Sequence, residues 1–178
     1  MTAGPDDLTG HAARLRREFD GGFARPFATA GSDGVELLAI RVAGHGYAIR
    51  LAEIAGLFAD RTVTPVPGPL PELRGLANLR GALVPVYDLG LLLGHPAGDA
   101  PRWLALATAR RVALAFDGLD GHTVAAPDAI AMEPGEGRAL RQIVHRADGA
   151  GQLLLLHLPS LLDDIAARAR RAGGPEGR

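Results

Sequence analysis

Residues 73–94 read LRGLANLRGALVPVYDLGLLLG, and this stretch combines two Arg-Gly pairs with an apolar run that ends at Asp88. A proline lacks the N–H that a first helical turn does not use, so Pro71 predicts a helix that begins there and covers 72–79. The run ALVPVYDL, 82–89, is predicted as a strand. Pro85 within it favours a sheet edge or a bulge.

The two Arg-Gly pairs, Arg74–Gly75 and Arg80–Gly81, lie at either end of the predicted helix. A glycine after an arginine allows a tight turn or a close backbone approach, which gives both glycines a structural interpretation. The arginines are either solvated charges or groups that form carboxylate forks with a partner. Spacing alone leaves both interpretations open.

The flanking sequence indicates a chain of short strands. Upstream, VELLAIRVA and YAIRL enclose a Gly-His-Gly turn, which is typical of a β-hairpin. The following segment LAEIAGLF, Leu51 to Phe58, is predicted as two helical turns. Downstream, the strand candidates are RWLALATA, RRVALAFDGL, HTVAAPDAI and GQLLLLHL, and LPSLLDDIAARARRA is predicted as a helix. Many short strands with few helices favour a small barrel or a sandwich.

Length and composition predict one folded domain with tails. The 178 residues include 47% hydrophobic, 22% charged and only 4% aromatic residues, so the core is expected to be aliphatic. We divide the chain into an N-terminal amphipathic helix with a flexible linker at 1–34, a central domain at 35–165, and a helix end with a frayed tail at 166–178. The net charge of −1 argues against nucleic acid as a partner. No apolar run of membrane-spanning length is present, so the protein is expected to be cytoplasmic.

Catalytic and metal-binding motifs have little support in the sequence. Cysteine is absent, and the six histidines are scattered without the spacing of a helical metal pair. Asp88 and Asp117 both end apolar runs, which raises the alternative of a two-carboxylate hydrolase. An aspartate at a strand end more commonly accepts hydrogen bonds from the next turn, so a structural role is favoured for both.

The stretch YAIRLAEIAGLFADRTVTPVPGPLPELRGLANLRGALVPVYDLGLLLG, 47–94, resembles the CheW-like family of bacterial chemotaxis coupling proteins. RRVALAFDGL, with Asp117, and GQLLLLHLPSLL extend the likeness over about Glu36 to Leu162. The resemblance implies a mostly β fold of two intertwined five-stranded SH3-like barrels with short helices, and neither enzymatic activity nor a cofactor. It also implies a role in bridging the cytoplasmic tip of a chemoreceptor to the regulatory domain of a histidine kinase, at membrane-associated arrays and without direct membrane insertion.

The resemblance also assigns candidate partner-binding residues. Asn78, Leu79, Arg80 and Gly81 match the family's Asn-Leu-Arg-Gly segment, which is implicated in array contacts. Ile54 and Leu57 match apolar positions that help to line the receptor groove. The oligomeric state is left open.

Two positions depart from the family pattern. Gly56 stands where many members have glutamate, and His157 stands where aspartate commonly follows the last strand. These departures motivate the alternative of a divergent adaptor of the same fold, which serves pilus motility or another signalling system and has lost its kinase or receptor contact.

Overall fold

The structure is a computed structural model that describes residues 34–68, 70–97, 101–132, 140–145 and 151–172. The predicted N-terminal helix and most of its linker lie outside the described residues, as does the end of the C-terminal tail. Among the residues that are described, no helix is long and apolar enough to cross a membrane.

The described chain forms twelve strands and two α-helices. The strands are β1 (Val35–Val42), β2 (His45–Arg50), β3 (Ile54–Ala59), β4 (Val63–Thr64), β5 (Leu73–Leu79), β6 (Ala82–Asp88), β7 (Trp103–Ala107), β8 (Ala113–Phe116), β9 (Gly118–Ala125), β10 (Ile130–Met132), β11 (Leu140–His145) and β12 (Gln152–Leu156). The α-helices are α1 (Leu89–Leu92) and α2 (Leu158–Ala172), and 3-10 turns cover Leu51–Glu53 and Pro127–Ala129.

The strands form two sheets, which we call the first and second lobes. The first lobe has the order β10-β11-β12-β2-β1-β9, and the second has the order β3-β7-β8-β6-β5-β4. The predicted mostly β, two-lobed fold is confirmed. Each sheet has six strands where the resemblance implied five, and each includes a very short one, β4 or β10, of two or three residues.

The two lobes share one topology. Each contains a single parallel pair, β12 with β2 or β6 with β8, flanked by antiparallel strands. Strands β3 to β8 therefore correspond in order to β9 to β12 followed by β1 and β2. The β1–β2 hairpin belongs to the first lobe, whose other strands, β9 to β12, come from the C-terminal part of the described chain. Strands β3 to β8, which form the second lobe, lie between these two parts in the sequence. This is the physical basis of the intertwining.

Three apolar clusters hold this arrangement together. Leu37, Ala39 and Leu155 belong to a cluster within the first lobe, and Leu79, Val84 and Leu104 belong to one within the second. A third cluster joins both sheets to α2 and includes Leu38, Ile40, Leu114, Phe116 and Leu162. Successive β1 residues point to opposite faces, so Leu37 to Ile40 are all buried because both faces of β1 are covered.

Two predicted helical segments are strands instead. Residues 73–79 form β5, which pairs with β4 and β6, so the helix predicted over 72–79 is wrong. Gly75, Ala77 and Leu79 are buried alternately, which is the two-residue period of a strand, and long-range pairing outweighs the helix-start signal of Pro71. In the segment 51–58 only Leu51–Glu53 form a helical turn, because the remainder pairs with β7 as β3.

Two other details differ from the sequence interpretation. Strand β6 lies inside its sheet, between β5 and β8, rather than at an edge. Its pairing with β8 begins at Val86, immediately after Pro85, so the proline lies outside the segment that pairs with β8. Strand β11 was not predicted at all, since its sequence LRQIVH shows little alternation.

Candidate protein-interaction site

The Asn-Leu-Arg-Gly segment forms the tip of the β5–β6 hairpin. Leu79 is paired with Ala82, which leaves Arg80 and Gly81 as a two-residue loop. Both loop residues have positive φ, 53° and 82°, as a type I′ turn requires. The Gly81 N–H donates to Asn78 Oδ1 over 3.0 Å, while Leu79 is buried and anchors the tip. Three of the four residues therefore build the turn that displays Arg80.

The guanidinium of Arg80 lies against β3. Its central carbon is 5.6 Å from the centroid of the Phe58 ring, which is cation–π geometry. Arg61 approaches the same ring at 5.8 Å. A Cβ atom on Gly56 would lie 3.3 Å from Arg80 Nη2 and 3.1 Å from the Phe58 ring, so this glycine leaves room for both side chains.

An exposed apolar side chain flanks the tip. Leu83 is 70% exposed and lies directly across the hairpin from Asn78. A leucine this exposed on a β-hairpin gains little from the folded state of its own chain. The tip therefore offers a cation and an apolar group at neighbouring positions.

The predicted groove residues Ile54 and Leu57 lie on a different face of β3 from Phe58. A register shift between Ile54 and Gly56 marks a bulge. As a result Ile54 and Leu57 are half-buried against the central cluster, whereas Phe58 packs on the second-lobe cluster. The structure therefore does not bring Ile54 and Leu57 together with Arg80.

A cavity of about 220 Å³ lies beside the residues that precede Ile54. It is lined by Ala52, Glu53, Thr108, Ala109, Leu158, Pro159 and Leu162. The Glu53 carboxylate accepts the Leu158 N–H over 3.0 Å, so the cavity borders the start of α2. Its mostly aliphatic lining suits an apolar side chain.

Asp88 and Asp117 each bind groups of their own fold. Asp88 Oδ1 accepts the Leu91 N–H over 3.0 Å and thereby caps α1, and Asp88 Oδ2 pairs with Arg74 over 2.7 Å. Asp117 Oδ2 accepts the Ala43 N–H at the β1–β2 turn over 2.7 Å. These contacts fix the ends of β6 and β8, so both carboxylates stabilise the fold of their own chain.

Gly75 lies where two backbone segments come close. A Cβ atom here would be 2.0 Å from the Thr64 carbonyl oxygen, and the φ of Gly75 is 146°. No other residue type fits without movement of the β4 backbone.

His157 takes the position in the first lobe that Asp88 takes in the second. Its Nδ1 accepts the Ser160 N–H over 3.3 Å, and the Ser160 hydroxyl lies 2.8 Å from the same nitrogen. Asp88 accepts from the residue three positions later in the same way. The imidazole thus caps α2 as an aspartate would, which gives this departure from the family pattern a structural explanation.

Several contacts were not anticipated from the sequence. Phe58 and Arg61 lie near Arg80 only because the fold brings the end of β3 beside the hairpin tip. Aromatic residues are rare in this chain, which makes Phe58 stand out, but no sequence pattern relates it to Arg80. The rings of His45 and His95 stack at 5.0 Å, and His95 Nε2 lies 2.7 Å from the Tyr47 hydroxyl. Burial raises the pKa of Tyr47. Within the described parts of the chain, no three His, Cys, Asp or Glu side chains group as a metal site would require.

Comparison with known proteins gives a consistent result. The CheW-like domain family model matches residues 36–166. Chemotaxis protein CheW of Bacillus subtilis (strain 168) is 35% identical over 63 residues, which make up 35% of this chain and 40% of that protein. The matched segment thus spans less than half of that relative.

A solved structure is similar in fold. It is the crystal structure of scaffolding protein TtCheW from Thermoanaerobacter tengcongensis, with a TM-score of 0.64 and 17% sequence identity. The alignment covers 72% of this chain and 92% of that one. The matched region therefore includes most of the two-lobed domain.

Proposed function

The chain belongs to the CheW-like domain family, and from this premise we propose that it is a non-enzymatic adaptor of a chemotaxis system. In this proposal it couples the cytoplasmic tips of chemoreceptors to the regulatory domain of a histidine kinase. It would act in the cytoplasm, at receptor arrays associated with the membrane. The observation that carries the proposal is the β5–β6 hairpin tip, whose turn residues display Arg80 beside the exposed Leu83.

Arg80 suits a recognition role because its position is fixed before a partner arrives. The turn sets its backbone and the Phe58 ring contacts its guanidinium, so part of the ordering that binding requires is already present. A guanidinium forms directed, paired hydrogen bonds with a carboxylate. Contact with a partner protein is therefore the role that we assign to Arg80.

The cavity at the start of α2 provides a second type of contact. A helical receptor tip can bind by inserting apolar side chains into a groove of this kind. Ile54 follows directly after the cavity-lining Ala52 and Glu53, and Leu57 lies three residues further along β3. We assign them to this apolar contact, separate from the hairpin tip.

Titration calorimetry with the receptor cytoplasmic tip and the kinase regulatory domain of the same organism tests the proposal. The full-length protein is expected to bind both, and Arg80→Ala is expected to weaken at least one complex about tenfold, as the loss of a central arginine contact commonly does. Arg102→Ala is the matched control, because that exposed arginine already pairs with Asp60 over 3.1 Å.

The control variant should bind as the unmodified protein does. Denaturant unfolding of Arg80→Ala separates a lost contact from a lost fold. An unchanged affinity for both fragments would rule out the hairpin tip as the contact, and a folded protein that binds neither fragment would contradict the coupling function.

A divergent adaptor for pilus motility or another signalling system is the second candidate. Gly56 favours it, because a charged group that many family members carry at this position is absent here. Binding to a motility-system receptor, together with no binding to the chemotaxis fragments, would select this candidate.

A further inference from the structure

Two arginines near the hairpin tip differ from most of the described arginines of the strands and loops. Arg41, Arg50, Arg74, Arg102 and Arg110 each pair with a carboxylate of the chain. In the described part of the molecule, Arg61 and Arg80 have no carboxylate in salt-bridge contact, although both lie on the Phe58 ring. Both guanidinium groups thus approach one aromatic ring, and neither pairs with a carboxylate of the described residues.

Gly56 allows the Phe58 and Arg80 side chains to pack closely against β3. The Cβ atom of any larger residue at this position would lie 3.3 Å from Arg80 Nη2. An acidic residue there would hold a carboxylate against Arg80 within the chain. Because the residue is glycine, the chain supplies no carboxylate at this position, and the exposed Arg80 guanidinium stays available to a carboxylate from another molecule.

We propose that an acidic peptide segment of the protein partner binds the Phe58 surface. This surface consists of Gly56, Phe58, Arg61 and Arg80. One carboxylate of that segment binds Arg80, and a second binds Arg61. This inference rests on the proposed function, and it adds the chemistry of the partner segment together with one further contact residue, Arg61.

Charge complementarity decides the class of occupant. Both guanidinium groups are exposed, and each can form charge-assisted hydrogen bonds with a carboxylate of the partner. A basic or purely apolar segment would leave both cations unpaired and is disfavoured.

Substitution of Gly56 provides a direct test. Gly56→Glu places a carboxylate of the chain beside Arg80, so it should compete with the partner and weaken binding about tenfold. Gly56→Gln has the same size without the charge and is the matched control, and it should weaken binding clearly less. The neighbours of a new Cβ atom are side-chain atoms of Phe58 and Arg80, which can move, so both variants are expected to fold.

The chain contains no lysine, which allows a second test. Arg61→Lys or Arg80→Lys introduces a single lysine, and a zero-length carbodiimide reagent joins its amine to a carboxylate in direct contact. With the receptor tip or kinase domain bound, each variant should yield a crosslink to an aspartate or glutamate of the partner, identified by mass spectrometry. Arg170→Lys, an exposed position on α2, is the control and should yield none.

The outcomes distinguish the acidic occupant from the adaptor function. Suppose that the unmodified protein binds a fragment, that Gly56→Glu and Gly56→Gln bind it as tightly as the unmodified protein does, and that lysine at 61 and 80 gives no crosslink. The inference is then wrong while the adaptor function stands. If Gly56→Gln weakens binding as much as Gly56→Glu, bulk rather than charge is responsible and the acidic occupant is refuted. If the unmodified protein binds neither fragment, both the adaptor function and the inference fail.

Discussion

Replacement of Gly75 by alanine should be among the most destabilising single changes in the second lobe. The new Cβ atom would lie 2.0 Å from the Thr64 carbonyl oxygen, 2.7 Å from its carbon and 2.9 Å from Pro65 Cα. All three atoms belong to the backbone, so relief requires movement of the β4–β5 pairing rather than a rotamer change. The φ of 146° is also one that residues other than glycine rarely adopt.

The magnitude follows from these two costs. Backbone strain at an unfavourable φ costs about 1–3 kcal/mol. Overpacking costs about 1–3 kcal/mol more. The expected loss is therefore roughly 4 kcal/mol, the middle of the summed range of about 2–6 kcal/mol, and a large share of the roughly 5–15 kcal/mol by which a domain is stable.

Gly81→Ala is the matched control for this prediction. Gly81 also has a positive φ, 82°, but no atom lies within 4 Å of a Cβ placed there. It should lose only about 1–2 kcal/mol, the cost of the left-handed conformation. Urea unfolding of the two variants provides the comparison. A free energy of unfolding for Gly75→Ala within about 1 kcal/mol of that for Gly81→Ala would refute the proposed backbone clash.

Three further predictions concern α2 and the tyrosines. His157→Ala should lose about 0.5–2 kcal/mol of stability in urea unfolding, whereas His157→Asp should restore the cap of α2, and equal stability of the two variants would argue against the cap. Arg168 pairs with the buried Glu72, so Arg168→Met should lose on the order of 2 kcal/mol of stability by leaving that carboxylate unpaired. The double variant with Glu72→Gln should recover part of this loss, and additive losses of the two single variants would contradict the pairing. Burial raises the pKa of Tyr47, and burial together with Glu72 raises the pKa of Tyr87. The contribution of both tyrosines to stability is therefore complete below about pH 10 and is lost as the pH rises through the folded-state pKa. Tyr47→Phe should flatten this alkaline decline in the free energy of unfolding, and an unchanged dependence on pH would refute the role of Tyr47.

The parts of the fold that local patterns specify were predicted well. The β1–β2 hairpin follows from two apolar runs around a glycine-rich turn, and α2 follows from its helical periodicity. The resemblance to the CheW-like family supplied the arrangement of the lobes, which no local pattern contains. The lobes share a topology although the sequence shows no repeat, because buried aliphatic residues can occupy equivalent strands without being identical.

The errors arose where distant contacts override local preference. The segment 72–79 carries a helix-start signal at Pro71, but pairing with β4 and β6 makes it a strand. Glu72 and Arg168 are 96 residues apart in sequence, so their pairing is invisible before folding. Phe58 and Arg61 join Arg80 through the packing of β3 beside the hairpin tip, so no local sequence pattern could place them there.

The central claim is that one molecule couples two partners, and simultaneous binding tests it most directly. Sedimentation velocity of the full-length protein with the receptor cytoplasmic tip and the kinase regulatory domain would show whether a ternary complex forms. We predict one species that contains all three components and that Arg80→Ala depletes. Two separate binary complexes that exclude each other, or no complex from the folded protein, would contradict the coupling function.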